Sequence, residues 1–229
     1  MTAPQALALV PAAGFGSRFH EAGPKALVPL LGKPLLLHAL ERLAGSGRVT
    51  GAVIAIPAGF EDAFHAALKA SPVSYVLVEG GVTRKDSVVN MLKVSEAEDE
   101  SLVLVHDAAR PLVDPAEVAA IVDAAEKTGA AVAAFALVNT IKRVHAGKIV
   151  ETVPRSDLFA ATTPQVFRAK LLRQAYAKEG SRDVTDDAEL VERTGAPVSV
   201  VLTSRWNVKI TYPEDLEWAE AYLARIAPA

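Results

Sequence analysis

An apolar run that ends in a glycine-containing loop constrains the fold of this chain more than any other stretch. Residues 6–10 are Ala-Leu-Ala-Leu-Val, and Pro11-Ala12-Ala13-Gly14-Phe15-Gly16-Ser17-Arg18 follows directly. A short uninterrupted apolar run is typical of a strand buried on both faces of a parallel sheet, and the glycines mark a loop after it. Glycines let backbone N–H groups approach an anion, while Arg18 and Lys25 add positive charge. The stretch therefore predicts a buried strand that opens onto an anion-binding loop.

Two familiar phosphate-binding motifs do not match this loop. The dinucleotide fingerprint needs a third glycine three residues after Gly16, where this chain has Phe19. A P-loop needs serine or threonine after Gly-Lys, whereas Gly32-Lys33 is followed by Pro34. The remaining arrangement, a guanidinium and an ammonium beside small residues, favours a polyphosphate that is reacted upon. An ordinary strand-to-helix turn with two surface cations is the alternative.

Composition excludes several classes of function. With 24 basic and 27 acidic residues, the formal charge of −3 argues against a nucleic-acid partner and against an anionic membrane surface. The absence of cysteine excludes disulfides, thiolate metal sites and a cysteine nucleophile. No apolar run is long enough for a membrane span and no signal peptide is recognisable, so a cytoplasmic location is expected. The 229 residues fit one domain, 1–229.

Apolar runs alternate with helical periodicity through most of the chain. Strands are predicted at 6–10, 49–56, 73–78, 102–105, 130–137, 198–202 and 207–211. Helices are predicted from Pro34, around 60–70, from 83–86, from Pro115, at 168–177, at 186–194 and after Pro213, with 155–167 as a turn-rich connection. Strand followed by helix, repeated, indicates parallel pairing through right-handed crossovers. The prediction is an α/β fold with a mostly parallel sheet flanked by helices.

A β-hairpin interrupts this alternation. Residues 140–144 and 149–153 are strand-like and flank a turn at His145-Ala146-Gly147-Lys148. The polar residues are not confined to one face, and an isolated two-stranded hairpin is only marginally stable in water. We therefore predict an arm, at about 138–156, that packs on another subunit. A hairpin that lies on the edge of its own domain is the alternative.

Charged residues follow two of the predicted strands. Arg84, Lys85 and Ser87 fall in the first turn of a helix beside Gly80-Gly81, where cations oppose the helix dipole, so either a bound anion or simple solvation accounts for them. Asp107 follows a central strand, where open sheets bind ligands, and is the candidate for contact with Mg²⁺ or a nucleotide. His106 is expected to be structural. Asp186-Asp187 is expected to start a helix rather than to bind metal.

A series of short motifs then identifies a family. They are Pro11 to Arg18, Pro24-Lys25, Gly80-Gly81 with Arg84 and Asp86-Ser87, His106 to Pro111, Thr140 with Lys142-Arg143, Thr162 with Pro164-Gln165, Thr185 to Ala188, and Asn207 to Thr211. In this order and spacing the set resembles the 2-C-methyl-D-erythritol 4-phosphate cytidylyltransferases of the non-mevalonate isoprenoid pathway, over essentially the whole chain. The resemblance implies a Rossmann-like nucleotidyltransferase fold whose β-arm interlocks two subunits of a homodimer. It also implies transfer of a cytidylyl group from CTP, with Mg²⁺ on the triphosphate, to methylerythritol phosphate, and release of pyrophosphate.

The resemblance also assigns roles to residues. Arg18 and Lys25 would stabilise the α-phosphoryl group, and Arg155 and Lys209 would position the sugar phosphate, with Arg155 reaching the site of the partner subunit. Thr140 and Arg110 would also contact the acceptor, while Asp107, from its place after the central strand, is the candidate metal ligand. The implied nucleotide-binding residues are Pro11, Ala12, Ala13, Gly14, Phe15, Gly16, Gly81, Arg84, Ser87, Asp107 and Ala108, with Gly81 and Ser87 near the cytosine base.

Two other functions compete with this interpretation. A cytidylyltransferase for ribitol 5-phosphate or another polyol phosphate would have similar loops, so a different acceptor is the nearest alternative. A non-catalytic nucleotide-binding subunit is the remote one, because it would have little reason to keep Arg18, Lys25, Arg155 and Lys209 together. Since the acceptor phosphate is itself the nucleophile, positioning and charge neutralisation matter more than a general base.

Overall fold

The computed structural model describes residues 3–16, 19, 23–179 and 184–226. The strands are β1 (Ala6–Pro11), β2 (Pro29–Leu30), β3 (Lys33–Pro34), β4 (Val49–Ile56), β5 (Tyr75–Glu79), β6 (Leu102–Val105), β7 (Ala130–Ala136), β8 (Ile141–His145), β9 (Lys148–Val153), β10 (Phe159–Arg168) and β11 (Ser199–Leu202). The helices are α1 (Leu35–Gly45), α2 (Glu61–Ala67), α3 (Arg84–Val94), α4 (Pro115–Thr128), α5 (Ala169–Glu179), α6 (Asp187–Glu192) and α7 (Glu214–Ile226), with a 3₁₀ turn at Lys25–Leu27.

The helix starts agree with the sequence prediction, and local capping explains them. Pro34 stands at the N-cap position of α1 without a side-chain cap bond, where its restricted φ suits entry into a helix, and Asp114 caps α4 by accepting a hydrogen bond from the Ala116 N–H at 2.8 Å. Thr83 and Asp86 form a reciprocal capping box at the start of α3. No helix in the described ranges has the length and apolar character of a membrane span.

Seven strands form one sheet in the order β11-β7-β10-β6-β1-β4-β5. Neighbours pair in parallel except at β10, which is antiparallel to both β6 and β7. The predicted α/β fold with a mostly parallel sheet is therefore confirmed. The carboxyl ends of β1 and β6 are adjacent, so the loops that follow them share one edge of the sheet.

Strand β10 corrects the prediction of a turn-rich connection at 155–167. Ala161 pairs with Ala134 of β7 and Gln165 pairs with Val132, so the residues between Ala161 and Gln165 bulge out of the ladder. Pro164 lies in that bulge, where its missing N–H breaks no ladder hydrogen bond. The turn-forming residues were recognised, but they interrupt a strand rather than replace it.

The sheet is covered by helices on both faces because neighbouring strand residues point in opposite directions. Ala8 and Val10 face a core built from α1, α2 and α4, with Leu40 and Ile121 among its fully buried members. Leu9 faces a second core, built from α3, α5 and α6. Both faces of β1 are thus apolar, which is why its sequence is an unbroken apolar run.

A third cluster fixes the segments near the candidate site. Val28, Leu112 and Ile210 are buried together against α7, where Ala219 is fully buried. Val28 lies shortly after Lys25, Leu112 shortly after Arg110, and Ile210 directly after Lys209. Packing against α7 therefore holds all three charged segments in place. The strand predicted at 207–211 is wrong, since the segment is irregular and its Ile210 N–H donates to the Ala109 carbonyl at 2.8 Å.

The predicted hairpin is present as β8 and β9, which pair antiparallel as a two-stranded sheet separate from the main one. Its apolar side chains face solvent in the single chain: Val144, Ile149 and Val150 are 56, 65 and 61% exposed. A two-stranded hairpin cannot bury its apolar side chains within itself, so these residues form an exposed apolar surface.

Candidate active site

Two neighbouring cavities lie at the carboxyl edge of the sheet. The first has a volume of about 240 Å³. It is lined by the loop after β1, the start of α3, the turn after β6 and the segment near α7, through Pro11, Ala12, Ala13, Gly14, Lys25, Ala26, Gly81, Val82, Thr83, Arg84, Ser87, Asp107, Ala108, Ala109 and Lys209. This cavity gathers most of the nucleotide-binding residues that the sequence predicts.

The loop after β1 holds Lys25 at the edge of this cavity. Gly16 has φ +63°, a backbone conformation that favours glycine, and a Cβ there would lie 2.9 Å from Cδ of Lys25, so a larger residue would displace the lysine side chain. The Lys25 N–H donates to the Gly14 carbonyl at 3.0 Å, which closes the base of the loop. The Lys25 ammonium lies 5.3 Å from the centre of the Phe19 ring. Arg18, the other predicted catalytic residue of the loop, lies outside the described residues.

The glycine pair after β5 packs against the start of α3. A Cβ on Gly81 would lie 2.1 Å from the Cβ of Asp86, so no larger residue fits. The Gly81 N–H donates to Oγ of Ser87 at 3.1 Å, and the Ser87 hydroxyl donates to the Thr83 carbonyl at 3.0 Å. Ser87 therefore fixes the shape of the loop, and Gly81 and Ser87 both line the first cavity. The predicted role of Gly81 and Ser87 in base recognition stays a prediction.

The second cavity, of about 260 Å³, adjoins the first. Its lining comes from Arg84, Asp107, Arg110, Ala161, Thr162, Thr163, Gln165, Thr185, Asp186 and Lys209. Arg84, Asp107 and Lys209 line both cavities. We call these three side chains the shared wall.

Ion pairs hold the shared wall together around the Asp107 carboxylate. Lys209 Nζ lies 2.9 Å from Oδ2, Arg84 Nε lies 3.1 Å from Oδ1, and Arg110 Nε lies 3.5 Å from Oδ2. Burial by itself would raise the pKa of Asp107, but the charges of Arg84, Lys209 and Arg110 outweigh burial and hold the pKa well below its usual range. The carboxylate is therefore ionised and fully engaged by cations.

This environment does not fit Asp107 as a direct magnesium ligand. Both of its oxygens face cations, which a dication would have to displace. Within the described ranges, no group of three or more His, Cys, Asp or Glu side chains could hold a metal ion. The geometry thus argues against the predicted metal role of Asp107.

A hydrogen-bond chain through His106 joins the turn after β6 to the bulge in β10. The imidazole is fully buried. Its Nε2–H donates to the Arg110 carbonyl at 3.1 Å, and Nδ1 accepts from the Thr163 hydroxyl at 3.2 Å. This tautomer is assigned because the carbonyl can only accept. The Thr163 hydroxyl in turn accepts from the Asp107 N–H at 3.0 Å. Burial lowers the pKa of His106 to about 4, so the ring is neutral and holds Asp107 in position.

Four predicted site residues within the described ranges are not among those that line the two cavities: Phe15, Gly16, Thr140 and Arg155. Phe15 packs edge-on against Phe60, with ring centres 5.6 Å apart. Thr140 and Arg155 lie exposed at the base of the hairpin, where an Arg155 guanidinium N–H donates to the Val138 carbonyl. In a single chain, the structure therefore brings Lys25, Arg110 and Lys209 together but leaves Thr140 and Arg155 apart from them.

The sequence analysis missed the residues behind the shared wall. Asp186 caps α6 as predicted, accepting from the Glu189 N–H at 3.0 Å. Asp187, however, is 1% exposed and pairs with Arg84 at 2.8 Å, and it also accepts from the Tyr176 hydroxyl. Asp187 belongs to a motif that was recognised, but nothing in that motif indicates a partner on α3.

Comparisons with known proteins place this geometry in a family context. The family model described as IspD, 2-C-methyl-D-erythritol 4-phosphate cytidylyltransferase, matches residues 6–225. The protein of that name from Rhodopirellula baltica is 42% identical over 227 residues, covering 94% of this chain and 93% of that protein. The one from Saccharopolyspora erythraea is 47% identical over 225 residues, covering 95% and 99%.

Solved structures agree with the sequence relatives. The crystal structure of 2-C-methyl-D-erythritol 4-phosphate cytidylyltransferase from Thermus thermophilus superposes with a TM-score of 0.80 at 35% identity, covering 97% of this chain and 100% of that one. The Francisella tularensis structure of that name gives a TM-score of 0.80 at 30% identity, covering 95% and 99%.

Proposed function

The chain belongs to the 2-C-methyl-D-erythritol 4-phosphate cytidylyltransferase family, and we propose that it transfers the cytidylyl group of CTP to 2-C-methyl-D-erythritol 4-phosphate. The products are 4-diphosphocytidyl-2-C-methyl-D-erythritol and pyrophosphate. The comparisons do not favour the polyol-phosphate alternative, since the relatives described above carry the methylerythritol name. A non-catalytic role is likewise disfavoured, because those relatives are named as transferases.

The observation that carries this proposal is the cationic wall between the two cavities. CTP would occupy the first cavity, with its triphosphate along the loop that holds Gly14 and Lys25, and the acceptor phosphate would occupy the second. An oxygen of the acceptor phosphate attacks the α-phosphorus of CTP, and the bond from the α-phosphorus to the pyrophosphate oxygen breaks. Both reacting groups are anions, so Lys209 and Arg84, which face both cavities, would offset their repulsion.

Lys25 and Arg18 would act on the nucleotide side of the reaction. Lys25 lines the first cavity, and the close packing of its side chain against Gly16 limits the directions in which the ammonium can point. A pre-positioned cation stabilises charge that develops on the α-phosphoryl group without reorganising during the reaction. The role of Arg18 rests on the family resemblance and on its place in the same loop.

We further propose that the acceptor site is completed by a second subunit. Arg155 and Thr140 belong to the hairpin segment, whose exposed Ile149 and Val150 would be covered in a homodimer. Each site would then take Lys25 and Lys209 from one subunit, and Arg155 and Thr140 from the partner. The expected location of this homodimer is the cytoplasm. Magnesium would accompany the triphosphate, and we assign it no protein ligand.

Pyrophosphate release tests the reaction directly. The protein is incubated with Mg²⁺ and each of CTP, UTP, ATP and GTP, and each nucleotide is offered methylerythritol phosphate, ribitol 5-phosphate, erythritol 4-phosphate or no acceptor. We expect turnover to require both CTP and methylerythritol phosphate, because polar groups that pair with the cytosine edge are left unpaired by another base, at a cost of about 1–3 kcal/mol each. Faster turnover with ribitol 5-phosphate, or equal kcat/KM for a purine triphosphate, would contradict the proposal.

A further inference from the structure

The Asp187 carboxylate is buried where it cannot touch a substrate. It is 1% exposed and lies at the first residue of α6. The cap of that helix is made by Asp186, so helix capping does not explain the charge at Asp187. A buried carboxylate without partners would be strongly unfavourable, and each partner it has must therefore matter to the local arrangement.

Its partners lead to the shared wall. Asp187 Oδ2 lies 2.8 Å from Nη1 of Arg84, and Oδ1 accepts a hydrogen bond from the Tyr176 hydroxyl. Arg84 uses a different edge of its guanidinium for Asp107, with Nε donating to Oδ1 at 3.1 Å. Asp107 then holds Lys209 at 2.9 Å. One continuous chain of polar contacts thus runs from α5 to the two cavities.

The geometry of Arg84 explains why a second carboxylate is needed. A guanidinium is planar and presents donors along fixed directions, so contacts on two edges fix its orientation far better than one contact does. With Asp107 alone, Arg84 could rotate about its Nε contact and move its remaining donors away from the wall. With Asp187 in place, the side chain is held from both ends, and Tyr176 holds Asp187.

We infer that Asp187, supported by the Tyr176 hydroxyl, is a positioning residue that orients Arg84 in the wall between the nucleotide and acceptor cavities. This inference rests on the proposed function for its effect on turnover. The orientation of Arg84 itself does not depend on the proposed function, because it is present in the protein without ligands.

Kinetics of D187N, Y176F and R84K test the effect on turnover. D187N keeps the size of the side chain but removes the charge, and kcat should fall about 10- to 100-fold, as losses of supporting contacts around a site commonly do. Y176F should lower kcat by about 2- to 10-fold, the effect of one hydrogen bond. The KM for CTP should change much less than kcat, because the cavity lining is kept.

The double variant R84K/D187N separates positioning from a structural role. Lysine keeps the charge at position 84 but cannot bridge two carboxylates. If Asp187 acts through Arg84, D187N should have little further effect on kcat once R84K is present. Effects of the two substitutions that multiply would overturn the inference. D123N is the matched control, since Asp123 also pairs with an arginine, Arg48, at 2.9 Å, but neither lines a cavity described above.

An NMR measurement tests the orientation without any activity. The Nε–H of Arg84, identified by its loss in R84K, should exchange slowly with solvent in the ligand-free protein, because it donates to Asp107. Its exchange should be at least about 10-fold faster in D187N and unchanged in D123N. Unchanged exchange in D187N would overturn the inference. An inactive wild-type protein would instead refute the proposed function, while the exchange data would still decide the positioning role.

Discussion

Acidification from neutral pH should destabilise the fold through His106. The ring is fully buried, is neutral, and has both nitrogens hydrogen-bonded between Arg110 and Thr163. Protonation would place a hydrogen on Nδ1, where the Thr163 hydroxyl donates now, and would put a charge on a fully buried ring. In the unfolded chain the imidazole is exposed to solvent and can be protonated at its ordinary pKa. Protons therefore bind the unfolded chain first as the pH falls.

The size of the effect follows from the pKa of His106, which is lowered from 6.5 to about 4. Between these values the unfolded chain binds one more proton than the folded one, so the stability is fully present above pH 6.5 and is lost as the pH falls toward 4. A pKa difference of this size corresponds to about 3 kcal/mol in total, of which about 2 kcal/mol is lost between pH 7 and pH 5. Asp107 does not contribute in this window, because its lowered pKa keeps it ionised.

Urea unfolding at pH 7, 6 and 5 measures this loss, with the protein concentration held constant. H106Q retains an N–H that can donate to the Arg110 carbonyl but cannot titrate. It should be less stable than wild type at pH 7, and should lose about 2 kcal/mol less between pH 7 and pH 5. H145Q is the control, because it removes an exposed histidine from the hairpin. Equal losses in wild type and H106Q would refute the reasoning.

Four further predictions concern the site and its supports. Lys25→Ala should lower kcat by about 100- to 1000-fold while the urea midpoint stays near that of wild type, and normal turnover at saturating CTP would contradict its role. Co-refolding equal amounts of Lys25→Ala and Arg155→Ala should restore activity at about a quarter of all sites, since half of the dimers are mixed and one of the two sites in each mixed dimer is intact. If mass measurement confirms mixed dimers but the activity is no higher than the average of the two variants, Arg155 acts in the site of its own chain. Gly81→Ala should cost about 1–3 kcal/mol of stability and raise the KM for CTP, because the added methyl group would collide with Asp86. An unchanged KM for CTP would contradict this prediction. Ile210→Ala should cost about 2–5 kcal/mol in urea unfolding and weaken acceptor binding through the adjacent Lys209, which a KM series for methylerythritol phosphate would measure.

Much of the fold follows from short-range patterns in the sequence. The apolar run of β1, the helical spacing of Leu36, Leu40 and Leu43, and the cap at Asp114 are each complete within a few residues. Such patterns fix which segments are strands and helices, because local geometry determines which side chains share a face. The same reasoning identified the hairpin and the loop that holds Lys25.

The sequence was less informative where local and long-range preferences conflict. Turn-forming residues around Pro164 predicted a connection, yet pairing with two neighbouring strands makes Phe159–Arg168 the antiparallel member of the sheet. The β-branched pattern at 207–211 predicted a strand, yet the segment pairs with no strand and is held by Ile210 in the cluster against α7. In both cases the available partners decided the structure, and propensity did not.

The charged residues divide in the same way. The sequence by itself determined that Lys25, Arg84 and Asp107 follow strands or glycine turns, and hence that they lie near one edge of the sheet, whereas Lys209 was assigned to the site only through the family resemblance. Only the tertiary structure decided that the Asp107 carboxylate is paired with Arg84, Arg110 and Lys209, and that Asp187 contacts Arg84 on the side away from the cavities. The physical reason is that an ion pair depends on distances of a few ångströms between segments far apart in the chain, and no local periodicity encodes those distances.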